Sequence, residues 1–175
     1  MTFEEMMRAR EADSNVLEAA DRLNNAYLFA NRALDTVKEA IWIDFGLPFT
    51  SRFIHELAHA NLERLDEFGD VLHENHLKQS YPPTSALDEN IDSMDKAFEI
   101  VVTIIDEVDA ALGRFIEACS GGRLNAMALA AENLQMKNSA DRTKVLQAWQ
   151  MWDANVSATS FDNWVAHLTE VESDD

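Results

Sequence analysis

Residues 50–78 read TSRFIHELAHANLERLDEFGDVLHENHLK, and the fold turns on what the two faces of this stretch do. Take His55 as zero and advance about 100° per residue, as an α-helix does. Ile54, Leu57, Ala58, Leu62, Leu65, Phe68 and Leu72 then fall between roughly 200° and 340°. His55, His59, Asp66, Asp70, His73 and Glu74 fall between roughly 0° and 100°. The first stripe is wide enough to be buried within the chain. The second holds three of the five histidines and looks away from that core. The pattern predicts an amphipathic helix from near Thr50 or Ser51 to about Lys78.

Helical periodicity continues on both sides, and no segment alternates as a strand would. A first helix is expected from Asn15, behind Ser14, to about Trp42. Its apolar face carries Val16, Ala19, Ala20, Leu23, Ala26, Tyr27, Ala30 and Leu34. Phe45-Gly46-Leu47-Pro48 breaks it. After Tyr81-Pro82-Pro83, which forces extended backbone, a third helix spans about Ser93 to Cys119. Ser120-Gly121-Gly122 closes that helix as a left-handed cap. A fourth helix is expected over 124–137. Two shorter ones, 140–154 and 161–171, should start at Ser139 and Ser160 as N-caps. The reading is one all-α domain over 1–175: a four-helix bundle at 15–137 with a helical appendage at 139–175. If the second and third helices run parallel, residues 79–92 have to span ~43 Å of helix with ~46–50 Å of extended chain. A taut crossover and a plain hairpin both remain open.

Composition sets limits on partners. The formal charge is −18, from 32 acidic and 14 basic residues. Such a field repels nucleic acid and anionic lipid and attracts cations. Cys119 is the only cysteine, so neither an intrachain disulfide nor a thiolate cluster is available. No uncharged run approaches the ~20 residues of a membrane span. The expectation is a cytoplasmic protein without nucleic-acid or membrane partners.

His55-Glu56-Leu57-Ala58-His59 has the His-Glu-x-x-His spacing of zinc hydrolases. A zincin also needs a third ligand and a substrate cleft, and no downstream histidine follows at the longer spacing. A di-iron site inside the bundle needs Glu-x-x-His pairs from two helices, pointing inward. Glu56 and His59 supply one pair and nothing supplies a second. A merely solvated polar face is the plainer alternative. His55 and Asp70 lie fifteen residues apart, ~22 Å along a helix, so one chain cannot bring them to one ion. A second copy packed antiparallel brings His55 and His59 to the partner's Asp70 and Glu74, making two identical sites about a two-fold axis. Trp149, Trp152 and Trp164 are expected to pack the C-terminal helices on the bundle.

The stretch Trp42-x-x-x-Gly46-x-x-Phe49, then His55-Glu56, His59, Asp70 and Glu74, resembles the Dps family of ferritin-like mini-ferritins. The resemblance covers about residues 20–120. It implies a ferritin-like four-helix bundle, assembled as a two-fold homodimer or a larger shell. It further implies Fe(II) bound and oxidised by peroxide or oxygen at a site between subunits, for iron storage or detoxification. His55, His59 and the partner's Asp70 would be ligands and Glu74 the bridge. Two departures stand out. Ile41 occupies the place of the family's first histidine, which removes a ligand unless Asp44 takes its place. The basic N-terminal tail of many members is absent. The other reading is a ferritin-like bundle without a working metal site, serving as an assembly or interaction module.

Overall fold

Thr2 opens the first helix with a reciprocal cap. Its Oγ1 accepts from the Glu5 N–H at 3.2 Å, and Glu5 Oε2 accepts from the Thr2 N–H at 2.6 Å. The computed structural model describes residues 2–120, 124–154 and 157–170, apart from the side chains of 7–13 and 169–170. These residues form five α-helices and no strand: α1 (Phe3–Ile43), α2 (Pro48–Glu74), α3 (Met94–Cys119), α4 (Asn125–Asp153) and α5 (Ala158–Glu170).

The all-α expectation holds, while several boundaries move. α1 starts twelve residues before the expected Asn15, because residues 3–14 contain no Gly or Pro and the Thr2 cap outcompetes Ser14. α2 stops at Glu74 rather than Lys78. Beyond it His76 turns left-handed, with φ 60°. The His76 N–H donates to His73 O at 3.0 Å and the Leu77 N–H to Leu72 O at 2.9 Å, the paired bonds of a Schellman cap. α3 begins behind Ser93 as expected, the Ser93 Oγ accepting from the Lys96 N–H at 3.1 Å. The expected glycine cap at Gly121 and Gly122 lies outside the described residues. α4 is one helix where two were expected, so the proposed division at 137–139 does not exist. Ser139 is no N-cap but sits mid-helix. Its neighbour Asn138 is buried and donates to Ile105 O on α3 at 3.0 Å, which holds the helix through that polar stretch. α5 is capped by Ser157, not Ser160: the Ser157 Oγ accepts from the Ser160 N–H at 3.2 Å. Its expected end at Val171 lies outside the described residues.

The chain direction of each neighbour follows from side-chain pairs. On α1 and α2, Asn31 Nδ2 donates to Ala58 O at 2.9 Å and Ser51 Oγ donates to Lys38 O at 2.9 Å, so these helices are antiparallel. On α3 and α4, Arg142 pairs with Asp106 and the Trp149 Nε1 donates to Asp95 at 2.8 Å, again antiparallel. Phe68 near the end of α2 meets Phe115 near the end of α3, edge to face at 4.9 Å, so α2 and α3 run parallel on the bundle's diagonal. Residues 75–93 are therefore the crossover, and the plain hairpin is ruled out. Gln79 anchors it: its Nε2 donates to Leu65 O at 3.0 Å and to Asn24 Oδ1 at 3.2 Å. Gly69 makes room for that side chain, since a Cβ there would collide with Gln79. Up, down, down, up with one long crossover is one of the established bundle topologies.

α5 closes one end. Phe161 is buried against Trp152 at 5.2 Å and Phe98 at 6.2 Å, and Trp149 stacks on Phe98 at 6.1 Å, so the tryptophans pack the C-terminal helices as expected. Beside Phe161, the buried Asp162 completes another helix. Leu47 precedes α2 and offers no capping side chain. Asp162 Oδ1 instead accepts from the Thr50 N–H at 2.8 Å, and its Oδ2 accepts from the Phe49 N–H at 3.2 Å.

Candidate metal-binding face

α2 buries Ile54, Leu57, Ala58, Leu65, Phe68 and Leu72, the predicted apolar stripe, with one exception. Leu62 lies at that stripe's edge and is exposed. The opposite stripe reaches solvent: His59, Asp66, Asp70, His73 and Glu74 are exposed, and His55 is 40% exposed at its side chain. All the residues proposed as ligands are thus accessible on the outer face.

The structure brings two of them together. The His55 and His59 rings meet edge to face with centroids 4.5 Å apart, one helical turn apart. Asp35 on α1, which sequence reading missed, joins them: its Oδ1 lies 3.0 Å from His55 Nδ1. A signal for Asp35 was present. In an antiparallel hairpin turning near Phe45-Gly46, residues equally far from the turn face each other, and Asp35 and His55 satisfy that condition. With the Nδ1 proton held by a carboxylate, Nε2 presents its lone pair outward, the tautomer a metal takes. Asp70 and Glu74 are not brought to this pair, because α2 runs as one helix between them. Among the described residues, no three His, Cys, Asp or Glu side chains of one chain converge as a ligand set. The Glu56–His59 pair also faces outward, and among the described residues the interior holds no group of carboxylates and histidines that could form an intrachain di-iron centre.

Ile41 requires a correction. The resemblance places it where a metal ligand would be, yet it is 1% exposed and packs in the bundle core. It follows Leu34 and Val37 on the buried face of α1, so a histidine at this position would point inward.

Next to His55 the outer face opens into a groove of about 590 Å³ between the end of α1 and the start of α2. Trp42, Ile43, Pro48 and Phe49 form its apolar lining, with Lys38 and Arg52 at its rim. At mid-height the apolar interior encloses a cluster of polar side chains. Asn31 and Ala58 fix the α1–α2 register, which sets Asn24 and Tyr27 level with Asn61 and Arg64. Arg64 Nη2 pairs with Asp141 on α4 at 2.7 Å, and Asn61 Nδ2 donates to Leu57 O at 2.8 Å. Burial pushes the Tyr27 hydroxyl above its usual range; Arg64 opposes this and Glu67 adds a smaller push in the same direction as burial. No described helix is long and apolar enough to cross a membrane. No protein-family model matches this chain, and no curated protein matches it either.

Proposed function

We propose that the chain is a ferritin-like bundle of the Dps type that binds a divalent transition ion between two copies. Fe(II), with its oxidation, is the ion and reaction that the resemblance implies. The observation carrying this reading is the His55–His59 pair with Asp35 behind it. Imidazole and carboxylate suit iron and zinc, and an imidazole oriented by a carboxylate is the usual arrangement behind a metal ligand. The set is half of a site, and its complement, Asp70 and Glu74, stands ~22 Å away on the same stripe. A two-fold axis near the middle of α2 would unite the halves.

The first half of the α2 outer stripe carries Arg52, Glu56 and Glu63 with His55 and His59; the second carries Asp66, Asp70 and Glu74 with His73. Both halves are acidic on balance, so it is the placement of the imidazoles opposite the partner's Asp70 and Glu74, with a cation between them, that would favour antiparallel copies. Near the axis, Glu63 and Asp66 of the two copies would face one another, a repulsion that a bound cation relieves.

Mixing variants tests this reading. His55→Ala and Asp70→Ala should each lose metal binding while remaining folded, since both side chains lie outside the core. A heterodimer of the two would carry one doubly damaged site and one intact site. Titration with Fe(II) under anaerobic conditions should then recover about half of the wild-type stoichiometry in heterodimers. No recovery on mixing rejects the intersubunit site. A metal-free assembly module is the second reading, favoured by the burial of Ile41. It stands if the wild type takes up no transition metal.

A further inference from the structure

α1 is 41 residues long and α2 only 27. With Asn31 opposite Ala58, the end of α2 stands level with about residue 15 of α1. Arg114, Glu117 and Ala118 near the end of α3 lie beside Asn15, Glu18 and Arg22, so α3 stops at a similar height. Residues 3–14 therefore project past both neighbours by ~18 Å. The projection is helical from a reciprocal cap at its first turn, and it presents apolar side chains to solvent: Phe3 is 73% exposed and Met6 47%. At the opposite end of the same helix, Trp42 is 55% exposed and Ile43 71%, beside Phe49 at 40%. Met6 and Trp42 are separated by ~10 helical turns, so they share one face of α1. One helix thus has an uncovered apolar arm at one end and an apolar groove at the other.

The metal-site pairing supplies the register that joins them. With His59 opposite the partner's Asp70 and His55 opposite the partner's Glu74, the axis passes between Arg64 and Leu65. Carried to α1 through the contacts of Asn31 with Ala58 and Lys38 with Ser51, that symmetry sets Ile43 at the same height along the bundle as the partner's Met6. It sets the turn after Ile43 level with the partner's Phe3. Neither the arm nor the groove was used to choose the register, yet both are matched by it. We infer that the first turns of α1 dock in the Trp42–Phe49 groove of a second copy, and reciprocally. The inference rests on the dimer of the proposed function and identifies the contact that holds it closed beside His55.

A cross-link tests it. Met6→Cys and Ile43→Cys together place thiols ~55 Å apart within one chain, too far for a short bismaleimide. The native Cys119 is buried, and burial pushes its thiol pKa up to about 11, so it stays unreactive at neutral pH. The expected product is a covalent dimer. Met6→Cys with Leu129→Cys, whose second site is exposed on α4, should give none. Separately, Phe3→Ser with Met6→Ser should raise the dimer dissociation constant about tenfold or more in sedimentation. Dimers that bind metal but do not cross-link overturn the docking and leave the metal site standing. Cross-linked dimers that bind no metal do the reverse. A monomer at tens of micromolar, with and without added Zn(II), removes both.

Discussion

His76 shows what a single residue costs and gives here. It takes the left-handed conformation that ends α2, with φ 60°, a region where a side chain is strained by about 1 kcal/mol. Replacing it with glycine should stabilise the fold by about 1 kcal/mol in urea unfolding, because the Schellman bonds use only backbone. Ile41 has the opposite prospect. Ile41→His would put an imidazole into a packed apolar position and should cost roughly 2–4 kcal/mol. It should not restore a ligand, and a variant that kept wild-type stability while gaining metal affinity would contradict the burial described above. The sequence contained the correct reading of Ile41. Ala30, Leu34 and Val37 precede it on one face, so periodicity alone buries it. Position within a motif pointed elsewhere, and periodicity was the better guide because it reports the packing of this chain. The outward face of His55, His59, Asp70 and Glu74 was legible for the same reason. Asp35 was legible only through the hairpin, where it stands as far from the turn as His55 does; periodicity along α2 alone does not show it.

At the level of elements, the helices were legible where strong stops bound them and illegible where a polar stretch imitated one. Ser93 and Gly46 mark real ends. Ser139 has the composition of a cap, but Asn138 finds its partner on α3 rather than in its own backbone, and α4 continues. The start of α2 shows the converse. No local residue caps it, and Asp162, 112 positions later, supplies the missing acceptor. Asp162→Ala should cost about 2 kcal/mol, from the loss of a charged, buried helix cap. Amide exchange at Phe49 and Thr50 should rise more than at mid-helix positions. Uniform acceleration over the whole chain would mean that Asp162 acts through α5 packing and not as a cap.

For the molecule as a whole, chain length against helix length left two topologies open, and Gln79 with its seat at Gly69 selects the crossover. The net charge of −18 sets the other global expectation: no shift of duplex DNA by micromolar protein at physiological salt, which a gel assay would check. The Asp162 cap also imposes an order in time. A ribosome adds roughly 5–20 residues per second, so the 112 residues between Thr50 and Asp162 take on the order of 6–20 s to appear. During that interval the N–H groups of Phe49 and Thr50 have no Asp162 to accept from them. His55 lies only five residues beyond that uncapped end, so in a nascent chain this part of the outer face would be less firmly held until α5 is made and docks.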